Sequence, residues 1–439
     1  MKQTGQGLMQ VSRTKPVLFV LTYTHLGLFV VVDQLLLPMF HLGTFPFKIS
    51  YFILVLGLLP ALNHQGQSLV DRQHTQDFIR FSLLIFGIIL CALLGEIWLA
   101  LNHPVLSYSE TIRSVLIYFL IVLAFGLGQR SANFNLKWLV WIFYISVLLN
   151  LLFIVFKSLL PSFIIDLYYP PMVTHGLDKF GVYSVEEFLE LNRPRGLFGN
   201  PNTSILQLQI ITLFIYLSAR HKLLLVSSHL VAWGIILLPL LVALLLAARG
   251  GFILSAVLAI ANYRILMGRF NLSKFKALFP FIIIIVIAYF ALSEYLNIEA
   301  IKSNYERVTA LFRLGGSSIN IASDTFRPLI GFQPAFDRFL FSPLFGSGFS
   351  LSNMYPFDSG TQYYHNDIFR LIVTSGLIGF CLMIRIIRKY CYSLGFVTLT
   401  PFIVPGLTNT FLLTIPTMIF FFFMIAVIRQ KIVLRTTTF

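Results

Sequence analysis

Uninterrupted apolar runs of about 20 residues recur along this chain of 439 residues, and a helix of that length crosses the hydrocarbon core of a bilayer. Water is the wrong solvent for such a chain. Hydrophobic residues make up 57% and charged residues 11%, where a soluble domain carries about a quarter charged residues, and the mean hydropathy is +0.84. A cytosolic enzyme, a secreted disulfide scaffold and a disordered tail protein are thereby excluded, and the lack of recurring period-2 strands excludes an outer-membrane barrel. Cys91, Cys381 and Cys391 lie in or beside apolar segments with no CxxC and no nearby His, so neither a disulfide framework nor a metal site is expected.

Spans are expected near residues 17–39, 47–62, 81–101, 114–128, 138–159, 204–219, 225–247, 250–266, 278–296, 367–384, 394–408 and 411–428. The net charge of +15 raises nucleic acid as a partner, but the basic residues alternate with the spans instead of forming one patch. With the N-terminus inside, the inner segments hold 19 of the 32 basic residues against Asp71 and Asp77, a surplus of 17; all other segments together carry 13 basic and 15 acidic residues. The cationic excess is therefore a topology signal, and no nucleic acid is expected. The fold class is an all-α polytopic membrane protein of about twelve transmembrane helices, with both termini inside and the first helix retained.

This divides the chain into five N-terminal transmembrane helices (1–159), a first long outer loop (160–203), transmembrane helices six to nine (204–296), a second long outer loop (297–364) and three C-terminal helices (365–439). Both long loops are expected to carry short amphipathic helices, one of them in YSVEEFLELN with Glu186, Glu187 and Glu190. Loops of such length are usually functional.

The first loop ends in LNRPRGLFGNPNTS, where Arg193 and Arg195 stand before Gly196, Asn200 and Asn202 and the chain runs straight into a helix. An anion there meets two guanidinium forks and a helix N-terminus; the competing reading is a solvated basic turn. Arg249, in LLLAARGGFILS, follows about 23 apolar residues and precedes another span at once, so it either lines a polar site or anchors the interface. The second loop holds Arg313, Arg327 and Arg338, then a Gly-rich turn at Gly346 and Gly348, and closes with His365, Asn366 and Asp367 at the mouth of a span. An unperturbed imidazole titrates near neutrality, so a His at position 365 is suited to accept a proton, or to bond at the interface. Asp33 and Glu96 sit inside spans without a matching intramembrane Lys or Arg. No HExxH, DxD, P-loop, GxSxG or dinucleotide fingerprint occurs.

The order Arg-Gly-x-x-x-Asn-Pro-Asn, then AARGG, then an Arg followed by PLFGSG, then HN with SGLIG after it, resembles the O-antigen polymerase and O-antigen ligase superfamily of bacterial envelope glycan enzymes, over about residues 190–385. Where this chain has AARGG, that family commonly has Ser before the Arg. The resemblance implies a metal-independent glycosyltransferase of the bacterial inner membrane, with no cofactor, working at the periplasmic face on undecaprenyl-diphosphate-linked oligosaccharide. A chain-length regulator and a flippase would be its partners. It assigns acceptor activation to His365, with Asn366 beside it, and phosphate binding to Arg249, Arg327 and Arg195 or Arg193, so that His365, Arg249 and Arg327 are the expected catalytic residues; Asn200, Asn202 and Arg313 are further candidates, from the loops themselves, for binding substrate. A polymerase joining repeat units is the expected activity; a ligase moving polymer onto lipid A core is the alternative, and a polysaccharide flippase or other transporter is the reading from another class.

Overall fold

The structure is a computed structural model and describes residues 14–38, 40–42, 45–58, 69–102, 108–155, 160–168, 196–197, 201–246, 249–268, 336, 339–349, 367–403 and 415–437. It is mostly helical. Helix α1 (Thr14–Leu35) leads into a hairpin of β1 (Phe40–Leu42) and β2 (Phe45–Phe47), paired antiparallel with Phe40 opposite Phe47. Then come α2 (Ile49–Leu58), α3 (Leu69–Asn102), α4 (Ser109–Arg130), α5 (Lys137–Val155) and the short α6 (Ser162–Tyr168). The second half contributes α7 (Pro201–Arg220), α8 (His229–Leu245), α9 (Arg249–Asn262), α10 (Asp367–Ile386) and α11 (Ile415–Thr437).

Among the described residues, six helical segments are long and apolar enough to cross a membrane: Thr75–Leu101, Thr111–Arg130, Lys137–Ile154, Thr203–Arg220, Ile368–Leu394 and Pro416–Thr436. Helices α8 and α9 are apolar but shorter. The hairpin departs from an all-helical chain: the few residues joining the antiparallel α1 and α2 pair with each other rather than turn as a helix. The span expected at 278–296 and the helix expected in YSVEEFLELN lie outside the described residues. In the span expected at 394–408, tight turns at Tyr392–Leu394 and Phe396–Leu399 precede helical residues 400–403, and residues 404–408 lie outside the described residues.

Helix α11 is buried on every side from Met418 to Ile428, and a helix apolar all round belongs at the centre of a bundle. It packs chiefly on α4 and also on α1 and α7, while α3 takes α10 as its main neighbour. Aromatic rings lock the middle: Phe81 stacks on Phe125 at 4.0 Å between centroids, and Tyr390 meets both edge-on at 5.2 Å. On the outside, α3 exposes Leu83, Phe86, Leu90, Leu94, Ile97 and Leu101, and α5 exposes Trp138, Trp141, Ile145 and Leu148. These steps of three and four residues make continuous apolar stripes, which hydrocarbon solvates and water does not.

The two ends of the bundle differ. At one end Asp77, near the start of α3, accepts from Lys389 at 3.0 Å and from Arg429 at 3.4 Å, while Arg435 of α11 donates to the carbonyls of His221 (3.3 Å) and Lys222 (3.0 Å) beyond α7. This is the end that the charge pattern of the sequence leads one to expect inside. At the other end lie the C-termini of α1, α3, α5 and α8 and the starts of α4, α7, α9 and α10.

Candidate functional site

Gly196–Leu197 and the starts of α7, α9 and α10 lie toward the second of these ends, while Ser342–Phe349 and the SGLIG segment sit deeper, part-way along α10. The Arg-Gly-Leu-Phe-Gly-Asn-Pro-Asn stretch is seated by Asn150 of α5, whose Oδ1 accepts from the Leu197 backbone N–H at 3.0 Å while its Nδ2 donates to the Ser146 carbonyl at 2.8 Å. Gly196 is pressed between Asn150 and Ser204: a Cβ there would lie 2.4 Å from Asn150 Oδ1, so any larger residue would unseat the segment. Pro201 then opens α7, a position where a missing N–H costs nothing, and Asn202 occupies the first turn. Arg193, Arg195 and Asn200 lie outside the described residues, as does the Asn202 side chain.

Arg249 is the first residue of α9, with its side chain outside the described set. What holds this corner is Gln209 of α7, whose Nε2 donates to the Gly251 carbonyl and, at 2.8 Å, to Ser255 Oγ; Ser255 in turn bonds the Pro239 carbonyl of α8 at 3.3 Å. Gln209 lies eight residues into α7 and Gly251 two residues into α9, so at 1.5 Å rise per residue α9 opens about 9 Å deeper in the bundle than α7.

Beneath these helix starts, α1 and α2 cap each other. Asp33 Oδ2 accepts from the Ser50 N–H at 2.9 Å in the first turn of α2, where a helix favours negative charge. Lys48 is fully buried and its Nζ donates to the Asp33 and Leu37 carbonyls at 2.5 Å each, at the end of α1, where a helix favours positive charge. Asp33 is therefore not isolated, as the sequence suggested. The β1–β2 hairpin carries Lys48 back to it, a contact that hydropathy alone does not reveal. Gln34 Nε2 reaches Ser50 Oγ at 2.5 Å, and Gln207 Nε2 of α7 reaches the Gln34 carbonyl at 3.4 Å. Asp33 Oδ1, Gln34 Oε1 and Gln207 Oε1 have no hydrogen-bond donor among the described residues. Tyr168, from α6 in the first long loop, donates to the Leu36 carbonyl at 2.9 Å, and burial raises its phenol above the ordinary value.

The fourth element joins the second long loop to α10. From the second long loop, Ser342–Phe349 packs against α3 and α10, with Gly346, Ser347, Gly348 and Phe349 buried. Helix α10 is broken at Gly376 (φ 65°, ψ −171°), and the turn fills the break. Ser347 N–H donates to the Val373 carbonyl at 2.7 Å and Gly348 N–H to the Thr374 carbonyl at 3.1 Å. Leu377 N–H donates to the Pro343 carbonyl at 2.9 Å and Ile378 N–H to the Leu344 carbonyl at 3.2 Å. Two helical bonds, 377 to 373 and 378 to 374, are thus opened, and all four freed groups are paired again. Gly346 (φ 80°) and Gly376 adopt left-handed backbone and lie too close to the opposing chain for a Cβ. Glu96 of α3 accepts from the Phe349 N–H at 3.3 Å and from Thr111 Oγ1 of α4.

His365 and Asn366, immediately before α10, lie outside the described residues together with Arg313 and Arg327. Among the described residues no three His, Cys, Asp or Glu side chains gather as a metal site would need. Sequence reasoning missed Lys48, Asn150 and Gln209 as the fixings of this end. Polar residues inside apolar helices, as in SILQLQII, were the signal available. No family model, no curated protein and no solved structure matches the chain.

Proposed function

We propose that the chain is a surface-polysaccharide polymerase of the bacterial inner membrane, a glycosyltransferase of the O-antigen polymerase and ligase kind that joins undecaprenyl-diphosphate-linked repeat units at the periplasmic face. One observation carries this reading. Three of the motif stretches abut or open a helix N-terminus, at Pro201, Arg249 and Asp367, and the fourth packs into the break of the helix that Asp367 opens.

Helix N-termini carry partial positive charge and bind phosphate through free N–H groups. Arginine remains protonated and binds phosphate with two parallel hydrogen bonds, so Arg249, Arg327 and the Arg193–Arg195 pair are suited to hold the diphosphate and to stabilise charge growing on it as it leaves. His365 takes the proton from an acceptor sugar hydroxyl as that oxygen bonds to the anomeric carbon of the donor. The bond from that carbon to the diphosphate oxygen breaks, undecaprenyl diphosphate departs, and direct displacement inverts the anomeric centre. Asn200, Asn202, Arg313 and Asn366 contact substrate in this scheme.

A transporter would use a broken helix such as α10 to present freed carbonyls to an ion. Here the Val373 and Thr374 carbonyls are taken by Ser347 and Gly348, which favours the enzyme reading. In a strain that depends on this protein, His365→Ala or Arg249→Ala is expected to leave only single-repeat product on lipopolysaccharide gels. Normal ladders from variants present at wild-type levels would reject the assignment.

A further inference from the structure

The break in α10 has a direct consequence for how the site is aimed. In a continuous helix the direction of residues 367–375 would follow from residues 377–386; here Gly376 uncouples them. Unpaired backbone groups in a membrane interior cost several kcal/mol each, so the break exists only while the turn supplies partners. The orientation of the outer half-helix is therefore set by the Ser342–Phe349 turn. That turn is held in its turn by α3: Gly95 packs against the Gly346 carbonyl, where a Cβ would be 2.2 Å away, Gly348 packs against the Glu96 side chain, and Glu96 accepts from the Phe349 N–H. Glu96 is 3% exposed, and its other oxygen is held by Thr111 of α4. Its carboxylate thus joins the Ser342–Phe349 turn of the second long loop to α3 and α4.

We propose that Glu96 is a positioning residue: through the Phe349 N–H and the Ser342–Phe349 turn it fixes the direction of the outer half of α10, the half whose first residue, Asp367, follows His365 and Asn366 in the chain. The role in catalysis rests on the reading of His365 as the base; the role in aiming the half-helix stands on the backbone pairing alone. Glutamine at 96 keeps the size but offers one accepting oxygen where two donors converge, and turns an N–H₂ toward the other donor.

The test pairs a distance with an activity. Spin labels at positions 101 and 367 in the full chain, reconstituted in nanodiscs, report the half-helix relative to α3, and are measured in otherwise wild-type protein, in Glu96→Gln and in the milder Thr111→Val. A single narrow distance is expected in the first and a broadened or shifted one in both variants. Polymer longer than one repeat should fall about tenfold in Glu96→Gln, the effect of one buried charge-assisted hydrogen bond, and less in Thr111→Val. An unchanged distance in Glu96→Gln overturns the proposal, as does a broadened distance with full polymer formation. His365→Ala, run alongside, separates the two ideas: if it still polymerises, the base assignment fails whatever the distances show.

Discussion

The Asp77 end and the opposite end of the bundle both place charged groups beside apolar helices, and they neutralise them differently. At the Asp77 end the partners are side chains: Asp77 meets Lys389 and Arg429, with between a fifth and a third of each side chain exposed. At the opposite end the partners are mostly backbone: Glu96 holds the Phe349 N–H, Asp33 the Ser50 N–H, Lys48 the Asp33 and Leu37 carbonyls, and Asn150 the Leu197 N–H. Side-chain pairs settle charge where water still reaches. Side chain to backbone bonds settle irregular chain where it does not. The buried polar residues therefore mark where the described polypeptide leaves helical geometry inside the bundle, toward the end at which α7, α9 and α10 start.

If the difference is real, substitutions at the two ends should rank sharply. The largest effect is expected for Gly376→Ala, whose Cβ would fall 2.2 Å from the Leu344 carbonyl on a left-handed backbone, adding strain to a steric clash. Destabilisation of about 4 kcal/mol or more follows, read as loss of the monodisperse peak in detergent chromatography. Survival of that peak at wild-type height would mean that the break is not required. Lys48→Met comes next. It removes both capping bonds at the end of α1, for an expected loss of about 2–4 kcal/mol in thermal or denaturant unfolding. A loss no greater than that of the surface pair at the other end would erase the contrast. The smallest effect belongs to Asp77→Asn, about 1 kcal/mol or less and shrinking as salt is raised, because its ion pairs are partly solvated. A larger, salt-independent loss would show the Asp77 end to be built like the other.

The sequence revealed spans and their ends better than it revealed fixings. The span expected at 204–219 is seen as Pro201–Arg220 and that at 367–384 as Asp367–Ile386, since apolar periodicity and helix-start residues are local signals. Helix α3 begins at Leu69, well before the expected 81, because hydropathy registers lipid contact and not a polar turn continuing beyond it. SGLIG read as plain span; its break depends on partners some thirty residues upstream at Pro343–Gly348, a non-local pairing without a local pattern. Lys48 reaches Asp33 for the same reason, across a hairpin. At the site, residue types and their order were readable, while the supports beneath them, Asn150, Gln209 and Glu96, were visible only as polar letters in apolar words.

The central claim is that this end of the bundle holds a lipid diphosphate through fixed cationic donors and transfers its glycan. Its most direct test uses purified protein in nanodiscs with an undecaprenyl-diphosphate-linked repeat unit, in the presence of a chelator, with polymer and released undecaprenyl diphosphate measured together by mass spectrometry. The account predicts matched formation of both with chelator present and a fall of about 100-fold or more in Arg249→Ala, as expected for loss of a donor to the leaving group. Turnover in Arg249→Ala equal to wild type, or product that forms only when a divalent ion is supplied, would contradict it.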